Sequence, residues 1–375
     1  MQNYKVYPVF NINIVKAKGA YVWDDKGTKY LDMYGGHAVI SIGHSHPKYV
    51  SNISKQVNEI GFYSNSIKIP IQEELAHELG ELSGFPDYNL FLCNSGAEAN
   101  ENALKLASFQ TGRKKVLAFK NGFHGRTSLA VAVTDNPKIQ APVNPTDHID
   151  LLELNDEKGV RTALASNEYA AVLIEGIQGI GGIYEPDPVF MESLKKACKD
   201  TGTLLILDEI QSGYGRTGRF FAFQYTNIKP DLITVAKGMG NGFPIGGVLI
   251  APKFEATYGQ LGTTFGGNHL ACAAGQAVLE VIKEEGLIRN CGEIGSYIKT
   301  ELDDIKEIKE IRGKGLLLGF EFDEPVKEIR SRLITEYKIF TGAATNPNVL
   351  RLLPPMTIGK QEADTFVKAL KEILS

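Results

Sequence analysis

Six short apolar runs punctuate the middle of the chain: NLFLC (89–93), KVLAF (115–119), AAVLIE (170–175), TLLILDE (203–209), DLITVAK (231–237) and GGVLIA (246–251). Each is bounded by Gly, Asp or Asn, and helical patterns lie between them. Runs without polar alternation, separated by helices, predict an α/β layer with a largely parallel sheet over residues 48–262. Ahead of it, YVWDDKGTKYLDM reads as two strands around a turn at Asp25, Lys26 and Gly27, so residues 1–47 form an extended arm plus a few strands. After Ala271 come a long helical stretch, IRGKGLLLGFEF, a helix running through Ile339, NVLRLLPP and an amphipathic helix from Lys360. These predict a smaller C-terminal α/β unit over residues 263–375.

A chain of 375 residues exceeds what one core usually serves, which agrees with more than one unit. The charged fraction of 22% and net charge of −4 give no basis for binding nucleic acid or an anionic membrane, so small molecules are the expected partners. Cys93, Cys198, Cys272 and Cys291 are dispersed and form no CxxC pair, which argues against a disulfide framework and a zinc site. His44 and His46 have no matching third ligand, so no metal is expected. With neither a signal-like start nor a membrane-length apolar run, the chain reads as cytoplasmic.

The candidate chemistry gathers at strand ends. In NLFLCNSGAEAN, Ser95 and Glu98 form an S-x-x-E capping box, and Gly96 and Ala97 open the helix. A helix N-terminus after a strand suits a phosphate, although the same residues also describe an ordinary capped helix. The turn lacks the lysine of a P-loop and the spacing of GxGxxG, which disfavours nucleotides. TLLILDE ends on Asp208 and Glu209, where open α/β sheets place their ligands; a carboxylate there can keep a ring nitrogen protonated, and Gln211 adds an amide. KNGFHGRT sets Phe123, His124 and Arg126 in a glycine-flanked loop, offering an aromatic face beside a cation. Lys237 follows DLITVA among glycines, as an amine that burial could activate toward a carbonyl. An anion site, a stacking ring, an acid and an amine together describe pyridoxal 5′-phosphate.

The motifs GHSHP, NSGAEAN, FHGR, LDEIQSGYGRTG, AKGMGNGFPIGG, GTTFGGN and LRLLPP, in this order, make the chain similar to class III (ornithine-type) aminotransferases from about Tyr7 onward, most of all to their acetylornithine branch. The resemblance implies the type I fold of pyridoxal phosphate enzymes and a homodimer with its site at the interface. It implies that Ser95, Gly96 and Ala97 hold the phosphate, Phe123 stacks on the ring and Asp208 pairs with the ring nitrogen. Gln211 then approaches the ring hydroxyl, Lys237 is the Schiff-base lysine, His124 and Glu175 belong to the cofactor's surroundings, and Thr264 reaches the phosphate from the other subunit. Tyr7, His37 and Thr263 fall beside the substrate, Arg126 and Arg351 on its carboxylates.

The implied reaction moves the δ-amine of an N-acylornithine to 2-oxoglutarate in arginine biosynthesis. Acetyl and succinyl donors both remain open, as do free ornithine and 4-aminobutyrate. Two positions depart from the family's E-P-I-Q-G-E-[GA]-G: Gly176 replaces proline, and Ile180 replaces a glutamate that can neutralise the arginine matched by Arg351. His269 stands where the family often has proline.

Overall fold

The computed structural model describes residues Met1–Ser375. After an exposed N-terminal segment, β1 (Ile14–Lys18), β2 (Tyr21–Asp24) and β3 (Lys29–Asp32) form an antiparallel meander. The β2–β3 turn closes because the Asp24 carboxylate accepts the N–H groups of Lys26 and Thr28 at 3.0 and 2.8 Å, while Gly27 takes φ 80°.

Seven strands build the central sheet: β4 (Asn89–Cys93), β5 (Lys115–Phe119), β6 (Ile149–Leu152), β7 (Tyr169–Glu175), β8 (Leu204–Asp208), β9 (Leu232–Val235) and β10 (Gly246–Ile250). Their order is β4-β10-β9-β8-β7-β5-β6, with β10 antiparallel to both neighbours and the other pairings parallel. Every residue of β7, β8 and β9 is buried, which is why those runs carry no polar alternation. All six runs identified above are strands. The seventh, β6, escaped notice because IDLL is a four-residue edge strand, only partly buried.

The C-terminal strands are β11 (Glu310–Lys314), β12 (Leu317–Glu321), β13 (Ile339–Phe340), β14 (Gly342–Ala343) and β15 (Val349–Leu352). Four of them form an antiparallel sheet, β11-β12-β15-β14, whereas β13 runs parallel to β3 and completes the N-terminal sheet. The expected helix through Ile339 is therefore shorter: it spans Lys327–Thr335, Lys338 turns left-handed at φ 59°, and Ile339 starts a strand. Helix His269–Glu284 packs against helices Pro47–Glu59 and Pro70–Ser83, and at Gly275 a side chain would stand 3.1 Å from Leu75. One apolar cluster joins Leu31, Leu205 and Leu350, and so runs through all three sheets. No helix is long and apolar enough to cross a membrane.

Candidate active site

A cavity of about 350 Å³ opens at the carboxyl ends of β7, β8 and β9, beside the turn that follows β4. A sheet whose strand order changes direction leaves such a crevice, and the residues just past its strands line it.

At one side, helix Gly96–Thr111 points its N-terminus into the cavity. Ser95 Oγ accepts from the Glu98 N–H at 3.2 Å, as the capping box predicts. The reciprocal bond differs: the Glu98 carboxylate accepts from the N–H of Asn94, at 2.8 Å, one residue before the cap. Gly96 and Ala97 line the cavity, and their N–H groups have no partner within the helix. Gly96 also leaves room for Ile210, whose side chain would have to shift if position 96 carried one, since a Cβ there would lie 2.8 Å from it.

Asp208 ends β8 and is buried. Its Oδ2 lies 2.8 Å from His124 Nδ1 and accepts from Asn100 Nδ2 at 2.8 Å, while Oδ1 accepts from the Ile210 N–H at 3.0 Å. Asn100 also donates to the His124 carbonyl and accepts from Thr234 Oγ1, both at 2.8 Å, so one buried amide ties helix, loop and β9 to this carboxylate. Sequence reading overlooked Asn100; the signal was a polar side chain on the apolar face of the helix, one position beyond Ala99.

Glu175 ends β7 and accepts the N–H groups of Phe123 at 3.0 Å and Gly179 at 2.9 Å, pinning the loop that presents Phe123. Burial pushes its carboxyl up to about 7, with His124 opposing the shift and Asp208 adding to it. Lys237 begins the turn after β9 with φ 46°, a left-handed conformation rare for a residue with a side chain. Part of its surface is open to the cavity. Desolvation lowers its ammonium from the usual lysine range, against the pull of Asp208 and Glu175, and Arg351 and Arg216 push it further down.

The cavity brings together Ser95, Gly96, Ala97, Phe123, His124, Arg126, Glu175, Asp208, Gln211 and Lys237, with Arg126 exposed at its mouth. Five expected residues lie elsewhere. Tyr7 is exposed on the N-terminal segment, and Thr264 is exposed near the cavity but lines none of it. Thr263 Oγ1 accepts from the side chain of Asn94 at 3.3 Å, one residue outside the lining. His37 is exposed in a left-handed turn, Gly35–Ala38, where partial desolvation and then the Arg351 and Lys237 charges lower its imidazole from the usual histidine range. Arg351, on β15, is only 1% exposed and does not line the cavity; it lies behind Gln211, whose Oε1 accepts from its Nη1 at 3.1 Å.

Of the two histidines weighed as metal ligands, His44 pairs with Asp32 and His46 with Glu285, and His46 also caps helix Pro47–Glu59. His269 opens the helix that follows Asn268 and does not line the cavity.

Free N–H groups at a helix N-terminus, an enclosed amine, an aromatic loop residue and a tethered carboxylate in one cavity fit a phosphorylated pyridine aldehyde. The profile of the aminotransferase class-III family matches residues 2–374, and the chain belongs to that family. It is a pyridoxal phosphate-dependent aminotransferase. Among its relatives, acetylornithine aminotransferase of Bacillus subtilis is 39% identical, with 99% of this chain and 97% of the relative covered. The acetylornithine aminotransferase of Aquifex aeolicus is 38% identical over 100% of this chain and 99% of the relative. Among solved structures, ornithine aminotransferase of Toxoplasma gondii superposes with TM-score 0.90 at 30% identity, covering 100% of this chain and 91% of that one. Acetylornithine aminotransferase of Elizabethkingia anophelis superposes with TM-score 0.87 at 29% identity, covering 98% and 95%.

Proposed function

We propose that the chain transfers the δ-amine of an N-acylornithine, acetylornithine first, to 2-oxoglutarate, forming glutamate within arginine biosynthesis. The observation that carries this reading is Lys237 in the cavity beside the tethered Asp208, in a chain 39% identical to an acetylornithine aminotransferase along nearly its whole length. The relatives' names support acetylornithine over free ornithine; superposition does not separate the two, since both kinds of enzyme share the backbone.

When bound, pyridoxal phosphate supplies an aldehyde carbon for the amine and a ring that spreads negative charge from the substrate carbon. In this reading the chain's own residues do the rest. The N–H groups of Gly96 and Ala97, with Ser95, hold the phosphate. Phe123, fixed by Glu175, covers the ring, and Asp208, fixed by His124 and Asn100, faces its nitrogen. Lys237, with its basicity lowered by desolvation, takes a proton from the substrate carbon and returns it on the other side of the transfer. Arg126, exposed at the mouth, takes the α-carboxylate of the acylornithine, and Arg351 that of glutamate.

A second copy of the chain completes the site. Thr264 and Tyr7 are exposed, and so are Val6, Val9, Phe10, Tyr258 and Phe265, apolar side chains of the kind that a partner covers. A cytoplasmic location agrees with the absence of a membrane-length apolar helix.

Comparing kcat/KM for acetylornithine, succinylornithine, ornithine and 4-aminobutyrate tests the reading. Acetylornithine is expected to lead, and a marked preference for ornithine or 4-aminobutyrate would overturn it.

A further inference from the structure

The turn that carries Lys237 is strained at both ends. Lys237 has a left-handed φ of 46°, and four residues on Asn241 repeats it at φ 47°. Such backbone is uncommon for residues with side chains and lasts only where the surroundings over-determine it. The turn supplies little of that support itself: Met239 and Gly240 donate to the carbonyls of Ala236 and Lys237, each at 3.0 Å, and no regular element follows until β10.

What fixes the turn is a distant stretch of chain, Ser41 to Gly43, and Tyr49 beyond it. Asn241 Oδ1 accepts the N–H groups of Ser41 at 2.8 Å and Ile42 at 3.1 Å, and its Nδ2 donates to the Gly43 carbonyl at 3.0 Å. In the other direction Ser41 Oγ donates to the Gly238 carbonyl at 2.7 Å, and Tyr49 Oη to the Gly240 carbonyl at 2.8 Å. Ser41 is 1% exposed and Asn241 4%, so water does not compete for their bonds. The clamp is also anchored on its far side: Met356, beyond β15, donates to the Ser41 carbonyl at 2.7 Å, and His44 exchanges backbone bonds with Gly19 at 2.8 and 2.9 Å. Neither Ser41 nor Asn241 lines the cavity, so whatever they do for it passes through the turn.

We propose that Asn241 and Ser41 are positioning residues for Lys237: together they hold its backbone left-handed and so aim its amine at the aldehyde carbon of the cofactor. The bond forms when Nζ attacks that carbon and the aldehyde oxygen leaves as water, which requires the nitrogen to stand over one face of the carbonyl. Relaxing Lys237 into the commoner right-handed region would swing its Cα–Cβ bond and carry the amine off that line. Asparagine suits position 241 twice over, since it tolerates the left-handed region and brings both an acceptor and a donor. This role rests on the proposed reading of Lys237 as the amine that joins the cofactor, and not on which amine donor is used.

Two forms of the cofactor separate aiming from general loosening. Pyridoxal phosphate can bond to Lys237, whereas pyridoxamine phosphate, with an amine in place of the aldehyde, cannot. The full chain is loaded with either form and its affinity is read by equilibrium dialysis, beside kcat and KM for both substrates. Asn241→Gly accepts the left-handed backbone and removes only the side chain. It is expected to weaken pyridoxal phosphate about tenfold, to leave pyridoxamine phosphate unchanged, and to lower kcat about 10- to 100-fold with KM little altered. Ser41→Ala is expected to act in the same direction, by about threefold, and covers the case in which an Asn241 variant does not fold. In a Lys237→Ala background, Asn241→Gly is expected to change neither affinity. Equal weakening of both cofactor forms, or a further loss in that background, is what a merely structural role produces and would overturn the proposal. If Lys237→Ala alone keeps full affinity for pyridoxal phosphate, the reading of the lysine fails and the proposal with it. A loss in Lys237→Ala with none in Asn241→Gly or Ser41→Ala overturns the proposal alone.

Discussion

The two ends of the cavity treat buried charge differently. Around Asp208 the ionisable groups are interlocked: His124, Asn100 and a backbone N–H converge on the carboxylate, and Glu175 and Lys237 stand close enough to perturb one another. Behind Gln211 a guanidinium is just as deeply buried with only carbonyl oxygens for company. The first arrangement keeps a permanent geometry, as a resident cofactor requires. The second leaves an uncompensated charge, which would suit the role proposed for Arg351, taking up a substrate's carboxylate and giving it up again on each turnover.

The largest expected effect lies at the interlocked end. Lys237→Ala should lower transamination by about 10³-fold or more, since in the proposed reaction it removes the group that moves the proton; steady-state rates and loss of the native cofactor absorbance check this. Asp208→Asn should lower kcat by about 10²-fold while the helix and loop stay in place, measured on holoenzyme with circular dichroism as the control.

Stability separates the two ends more sharply than activity does. Asp208→Ala, which strips His124 and Asn100 of their shared partner, is expected to cost about 3–5 kcal/mol. Arg351→Met removes a buried charge that has no carboxylate to abandon, and should leave the denaturation midpoint unchanged or higher while raising KM for 2-oxoglutarate about 10- to 100-fold. Equal destabilisation by the two substitutions would break the comparison.

The smallest effect is a pH dependence. Glu175 is raised from 4.5 to about 7 in the fold, so the folded state holds a proton that the unfolded chain has released. Its contribution is complete below about pH 4.5 and is lost as pH rises through about 7. In Glu175→Gln the decline in melting temperature between pH 5 and 7 should therefore be shallower than in the wild type, by about a few degrees at most.

Much of the cofactor end was legible in the chain because its residues sit within a few positions of strand ends. Ser95 follows β4, Glu175 and Asp208 close β7 and β8, and Lys237 comes two residues after β9; a short apolar run announces each. Asn100 left only one local mark, a polar side chain on the apolar face of its helix; its task stayed hidden because its partners lie 24, 108 and 134 residues away. At the substrate end the arginine itself was visible in LRLLPP, but its surroundings were not. Nothing near Arg351 in sequence foretells that Gln211, 140 residues earlier, would take one of its hydrogen bonds, or that the side chain would lie behind the cavity wall.

The sequence by itself determined the alternation of strands and helices and the place of each reactive group along it. Burial of apolar runs and capping of helix ends act over a few residues and leave their mark in local pattern. Only the tertiary structure decided that β13 would pair with β3 across some 300 residues, and that one carboxylate would be tethered while one guanidinium was left to dipoles. Those outcomes depend on which distant polar groups meet once water is gone. Their energies come from pairwise distance and burial, quantities that no stretch of sequence carries alone.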